Sequence, residues 1–272
     1  MSTTLTTPHH SATPYPGDTV HVAALPTTGV TIVTGTDTDV GKTVFTAVLA
    51  AALIGNGHDV AVVKPAQTGL EPSEQGSDVD IIGDLAGIDA ERRHEYVRLP
   101  EPLAPTTAAR RAGVALPTVA EHARRIALLA QRHESVLVEG AGGILVGLDS
   151  AGHGLLQLAD ALRGRGVATR FVVVTRAGLG TLNHSALTCR AIRAHGHDLA
   201  GLVVGSCPPA ESLDSEDHLA ERCNLAELAD VCAAPLLCCI PQGIGADPTA
   251  IRDISDVVPL MTPTSIRRAS HA

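Results

Sequence analysis

Aromatic side chains are almost missing from this 272-residue chain, which has no Trp, two Phe and two Tyr. Proteins that hold unpaired nucleic acid stack bases on such rings, so that class has little to work with here. Positive charge is short as well. Lys and Arg number 20 against 29 Asp and Glu, a net charge of −9, which argues against a sequence-blind DNA binder and against a membrane-surface protein. No segment reaches the ~18 consecutive apolar residues of a membrane span. Residues 1–28 lack the basic start and apolar stretch of a signal peptide. They are rich in Thr, Pro, Ser and His and read as a disordered tail, with His9 and His10 solvated. The six cysteines form no CxxC pair and meet no His at zinc-finger spacing, which argues against a zinc site and for reduced thiols in a cytoplasmic protein. Cys238 and Cys239, inside an apolar run, read as small core hydrophobes.

What is present is aliphatic, since 44% of the residues are hydrophobic and 18% charged, the balance of a folded globule. Short β-branched runs alternate with Ala/Leu-rich segments of helical period. That alternation predicts an α/β fold, a mostly parallel sheet with helices on both faces, in a single domain. Strands are expected at 30–34, 59–64, 136–139, 171–175, 199–204 and 236–240. Helices are expected at 42–54, 118–132, 181–194 and 215–232, the first ended by Gly55-Asn56-Gly57. The stretch 70–117 shows scattered Pro, Gly and charge with no clear strand, and reads as an insertion over one end of the sheet. The domain is expected over 29–245, followed by a weakly structured segment, 246–272.

The sharpest feature is the strand-loop-helix run from Val30 to Thr43, closing on Gly41-Lys42-Thr43. Loop amides and the positive end of the following helix would converge on phosphate oxygens, Lys42 would bridge the terminal phosphates, and Thr43 would hold Mg²⁺. The strict pattern wants Gly at position 36, where Thr36 stands, with Gly35 one place early. The flanking strand and helix nonetheless mark a nucleoside triphosphate site and make the expected α/β fold one of P-loop NTPase type.

A carboxylate at a strand end should complete the metal site, and Glu139 supplies it after the apolar run 136–138. Gly140, Gly142 and Gly143 beside it expose amide donors and let an anionic ligand approach the backbone. An isolated Glu at this place would simply face water. Lys64 ends another apolar strand, with Pro65 stiffening the exit, and can hold a second anion, although a surface Lys would look alike in isolation. Two cations at one site suggest phosphoryl transfer between two anionic groups.

These residues resemble the dethiobiotin synthetase family. The similar segments are TGTDTDVGKT (34–43), KPAQTG (64–69), VEGAGG (138–143), LGTLNH (179–184) and APLLCCIP (234–241), in the family's order. The resemblance implies a cytoplasmic, homodimeric ligase dependent on ATP and Mg²⁺ that closes a cyclic urea on 7,8-diaminononanoate with CO₂. One amine becomes a carbamate, the carbamate takes the γ-phosphoryl group, and the second amine attacks the resulting anhydride. By the same resemblance Lys42, Lys64 and Thr38 are catalytic, and Thr43, Asp78 and Glu139 bind the metal, with Asp80 and Asp84 near enough to compete with Asp78. Asp39, Val40, Gly41, Lys42, Thr43 and Val44 would hold the nucleotide. Thr68, Gly142 and Gly143 would face the substrate. Leu179, Gly180, Leu182 and Asn183 look like the helix start that receives the carboxylate of the neighbouring subunit's substrate, although a Thr181-capped helix would look the same.

One departure stands out. Where many members end the strand at 199–204 with Asn-Asp, whose Asn reads adenine, this chain has Gly205-Ser206. Backbone groups of Ser206, Pro241 and Gly243 are left to hold the base, which implies use of several triphosphates. A second class, the dimeric partition and positioning ATPases that switch on DNA or membrane, shares this fold; their extra signature Lys aligns with Asp37. A related amidoligase and an inactive binding module are further readings. His184, the one histidine inside a similar segment, is expected to be structural.

Overall fold

The computed structural model describes residues 27–255. In chain order the strands are β1 (Gly29–Gly35), β2 (Val60–Lys64), β3 (Gln67–Thr68), β4 (Arg93–Glu95), β5 (Arg98–Leu99), β6 (Ser135–Gly143), β7 (Thr169–Thr175), β8 (Asp198–Cys207) and β9 (Leu236–Pro241). The helices are α1 (Lys42–Gly55), α2 (Asp78–Ala86), α3 (Pro105–Ala112), α4 (Val119–Ala130), α5 (Leu155–Arg163), α6 (Thr181–Ala194), α7 (Leu219–Cys232) and α8 (Pro248–Ser255). Seven strands form one sheet in the order β4-β2-β6-β1-β7-β8-β9, and every neighbouring pair is parallel.

Parallel strands need crossovers, and the crossover helices cover both faces. One core holds α4, α5, α6 and α7 against residues such as Ile32, Val138 and Phe171. The other packs α1, α2 and α8 against Val33, Val62 and Val172. Burial on both sides explains why the central strands read as continuous apolar runs. The expected architecture is therefore the one observed. β1 lies at the centre with three strands on either side, so the loop leaving its carboxyl end sits over the middle of the sheet.

Local chemistry sets the ends of the elements. The α1 helix begins at Gly41, whose φ of 95° suits glycine, and ends where the Asn56 side chain donates to the Ala52 carbonyl. A capping box of Thr118 and Glu121 starts α4, and one of Ser77 and Asp80 starts α2. The α7 helix begins at Leu219, later than expected, behind a 3₁₀ turn at Glu216–His218.

Three expectations need correction. The stretch 70–117 contains α2, β4, β5 and α3; β4 extends the main sheet beside β2, and β5 pairs with β3 in a small second sheet. An edge strand reading Arg-His-Glu has no apolar signature because one of its sides faces water. The reading also leaves no helix between 132 and 171, where α5 lies. Within the segment expected to be weakly structured, 248–255 form α8, whose Ile251 is fully buried against the α1 side. The rest of that segment, 256–272, and most of the expected tail, 1–26, lie outside the described residues.

On α4, His122 is completely buried, stacks on Tyr96 and has no hydrogen-bond partner for either ring nitrogen among the described residues. Burial, reinforced by the nearby Arg125, pushes its pKa from 6.5 down to about 4. As pH falls through this window the unfolded chain takes up the proton first, so stability declines from pH 6.5 towards pH 4 by up to about 3 kcal/mol. Urea titrations at the two pH values should show His122→Leu losing less stability than the parent by about that amount. Equal losses would show that His122 does not set this acid sensitivity.

Candidate active site

The β1–α1 loop turns through two left-handed residues, Asp39 at φ 56° and Gly41 at φ 95°. Gly41 lies so close to β8 that a Cβ there would come within 2.4 Å of the Gly205 carbonyl oxygen. The reverse is equally strict, because a Cβ on Gly205 would meet the Val40 carbonyl oxygen at 2.1 Å. Gly205 is thus packed directly against the loop, with no room for a side chain. Lys42 folds back over the loop and donates to the Asp37 carbonyl at 2.9 Å. Desolvation pushes its pKa below the usual lysine value.

Opposite the loop, Glu139 stands midway along β6, which runs on to Gly143 beyond the strand end expected at 139, and the residue is 1% exposed. Its Oε1 accepts from the Thr43 hydroxyl at 3.0 Å and from the Lys64 ammonium at 2.9 Å, while Oε2 accepts from the Thr46 hydroxyl at 3.0 Å. Lys64, at the end of β2, also pairs with Asp78 and donates to the Gly140 carbonyl at 3.2 Å. Burial alone would push the Lys64 pKa down, but Glu139 and Asp78 outweigh it and hold the value above that of a free lysine. The group is a fixed cation and not a base. Gln67 supports the arrangement by accepting the Asp78 amide at 3.0 Å, which anchors the start of α2.

Loop, strand ends and α2 border one cavity of about 930 Å³. Its lining includes Lys42, Thr43, Lys64, Asp78 and Glu139, together with Thr38, Asp39, Gly41, Val44, Thr68 and Gly142. Among the three aspartates near α2, Asp80 caps the helix and Asp84 pairs with Arg93, which leaves Asp78 as the one that faces the cavity. Val40 is buried beneath the loop, and Gly143 pairs with Gly35; neither lines the cavity.

Two groups of expected site residues stand apart. Leu179, Gly180, Leu182 and Asn183 form the start of α6, where Gly180 caps the helix at φ 87° and Leu179 is 81% exposed. Ser206, Pro241 and Gly243 sit at the ends of β8 and β9; Cys207 pairs with Pro241, and Gly245 lies against Val44 of α1. The β8 and β9 ends therefore flank the loop on the side away from Lys64.

Sequence reasoning passed over Thr46, Gln67, Thr175 and Arg176. The Thr175 hydroxyl lies 3.2 Å from that of Thr36 and 2.7 Å from that of Thr181, and it accepts from Ser185 at 2.8 Å. A buried hydroxyl chain thus joins the phosphate loop to the start of α6. Arg176 reinforces the link by pairing with Asp37 at 2.6 Å. The Asp37 pKa is held low first by the Thr38 amide and then by Arg176. The visible signal was the Thr-Arg pair at the end of a central strand, one strand away from the loop. The Lys content offered another, since Lys42 and Lys64 are the only lysines among the 20 Lys and Arg residues of the chain.

A central parallel strand, an amide-lined loop and a helix opening on Gly-Lys-Thr define the class: an α/β protein of P-loop NTPase type. A family model described as AAA domain matches residues 30–249. The ATP-dependent dethiobiotin synthetase BioD of Streptomyces avermitilis is 52% identical over 219 residues, covering 80% of this chain and 85% of that protein. The enzyme of the same name from Frankia casuarinae is 50% identical over 214 residues, 79% of this chain and 84% of its own length. The chain belongs to the ATP-dependent dethiobiotin synthetase family. Among solved structures, the MinC:MinD cell division protein complex of Aquifex aeolicus aligns at 14% identity and a TM-score of 0.49, covering 86% of this chain and 98% of that one.

Because neither glycine can gain a Cβ while the loop keeps this path, Gly205→Ala should lower the unfolding free energy by about 1–3 kcal/mol, the usual cost of overpacking. Denaturant titration measures it. An unchanged midpoint would show that the loop yields without strain.

Proposed function

We propose that this chain catalyses ATP-dependent dethiobiotin synthesis, closing a cyclic urea on 7,8-diaminononanoate with CO₂ and releasing ADP and phosphate. One observation carries the reading: a single cavity is bordered by the Lys42 loop and by a buried Lys64 ammonium held between two carboxylates. The sequence likeness to enzymes of that name supports it.

Each demand of the reaction has a matching group. The loop amides and the start of α1 hold the triphosphate, and Lys42 reaches its terminal oxygens. One substrate amine adds to CO₂, loses a proton and becomes a carbamate, an anion that needs a cation beside it. Lys64 supplies that charge without titrating. A carbamate oxygen then attacks the γ-phosphorus and ADP departs. The second amine attacks the carbonyl carbon, phosphate leaves with the bonding pair, and the ring closes. Thr38 and Thr68 border the same space and suit hydroxyl contacts with carbamate and transferred phosphoryl. Most of the acceleration then comes from positioning and fixed charge.

The donor set fits Mg²⁺, because Thr43, Asp78 and Glu139 supply hard oxygens to one cavity, with the Thr43 hydroxyl 3.0 Å from Glu139 Oε1. Bound there, the ion would neutralise triphosphate charge. The exposed Leu179 and the amide-rich start of α6 fit a carboxylate site completed in a cytoplasmic homodimer. No described helix is long and apolar enough to cross a membrane. The partition-ATPase reading gains nothing, since Asp37 stands at the place of the signature lysine and is engaged by Arg176.

Purified chain given the diamino acid, bicarbonate, Mg²⁺ and ATP should form the cyclic urea, detected by mass. ATP hydrolysis seen only when DNA or lipid is added would overturn the reading. Lys64→Gln should keep nucleotide binding within a few fold and abolish product, and unchanged turnover would remove Lys64 from the chemistry. With only Gly205-Ser206 at the base, CTP should support product at a rate comparable with ATP; strict ATP dependence would refute that specificity.

A further inference from the structure

At the amino edge of the sheet, away from the phosphate loop, three side chains converge without a part in the chemistry above. Asp160 lies near the end of α5, His195 caps the end of α6, and His197 stands just before β8. One ligand atom from each lies within 4.8 Å of the others. The Asp160 Oδ1 is 3.4 Å from His197 Nε2, and its Oδ2 is 3.7 Å from His195 Nδ1. The Leu156 carbonyl oxygen is 3.0 Å from His197 Nε2.

We propose that Asp160, His195 and His197 form a binding site for one divalent ion of the Zn²⁺ class. The spacing is the argument. An ion about 2.0–2.2 Å from four tetrahedral ligands holds them about 3.3–3.6 Å apart; one carboxylate–imidazole separation, 3.4 Å, falls in that range and the other, 3.7 Å, lies just above it. Two imidazole nitrogens and a carboxylate suit Zn²⁺ or Co²⁺ better than Mg²⁺, which prefers oxygen alone. The Leu156 carbonyl or a water completes the four. Cysteine and zinc-finger spacing, which argued against zinc in the sequence, does not bear on this donor set.

Access and mounting are in keeping with a site. Asp160 and His195 are each 40% exposed, so an ion reaches them from solvent, while His197 at 2% fixes the inner ligand. Arg163 donates to Asp160 Oδ1 at 2.6 Å and to the Gly196 carbonyl at 3.0 Å, and serves as the counter-cation of the metal-free chain. It also faces His197 Nδ1 at 3.5 Å. Coordination through Nε2 moves the imidazole proton to Nδ1 and turns the half-exposed Arg163 outward, with no change in redox state. The ion would tie the end of α5 to the end of α6. The opposite end of α6 is about 21 Å away along 14 residues, so synthesis should not require it.

Metal-free full-length chain titrated with Co²⁺ should develop the strong visible absorption of four-coordinate cobalt, saturating at one equivalent and bleached by Zn²⁺. His195→Ala and Asp160→Asn should abolish the band and the Zn²⁺-induced rise in Tm, while dethiobiotin formation stays within twofold of the parent. His9→Ala/His10→Ala, which tests the N-terminal histidines, should keep the band. Absence of the band in the parent, or its survival in His195→Ala, overturns the proposal.

Discussion

A lysine ammonium cannot stay charged in a protein interior unless opposite charge meets it, and the carboxyl edge of this sheet is organised by that requirement. Lys64 ends β2, Glu139 lies midway along β6, and Asp78 opens α2, so three separately encoded elements must arrive at one point. Strand register does most of this work. β2 and β6 pair in parallel up to Val63 and Val138, which sets Lys64 and Glu139 side by side at the next step of the register. Gln67 then fixes α2 through the Asp78 amide. The carboxylates are held in place before any nucleotide arrives, which is the preorganisation that charge stabilisation in a low-dielectric site demands.

The phosphate loop is held by different means. Packing fixes its far side, where Gly41 and Gly205 approach each other with no room for a side chain. Hydroxyl groups fix its near side, through Thr36, Thr175, Thr181 and Ser185. Since Thr181 and Ser185 belong to α6, the loop and that helix are parts of one hydrogen-bonded unit. A shift in one has to break or carry along the other.

Much of this was legible in the sequence, for a physical reason. Strands buried on both faces must be continuously apolar, so the six long strands are visible, and the strand-loop-helix sequence locates the phosphate site without any structure. Lys64 and Glu139 stand out because a charged residue closing an apolar strand has to be paired or placed at an edge. The stretch 70–117 was opaque because β4 is a charged edge and α2 and α3 are short, so neither periodicity nor propensity rises above the scattered glycines and prolines. Asp78 rested on family likeness alone, since nothing local separates it from Asp80; only the pairing with Lys64 does. Thr46, Gln67 and Gly205 act through contacts with residues distant in the chain, which no local pattern encodes. α8 was passed over for a similar reason: it is a short segment of mixed polarity whose anchor, Ile251, acts through contacts with the distant α1 side.

Having all its lysines in one cavity gives the molecule an unusual chemical profile. Reagents that acylate or reductively alkylate side-chain amines normally decorate the outside of a protein many times over. Here they would meet arginine guanidiniums at the surface and find side-chain amines only at Lys42 and Lys64. Apart from the α-amine, such labelling reports on the reaction chamber alone, and a ligand filling that chamber would shield the chain from it.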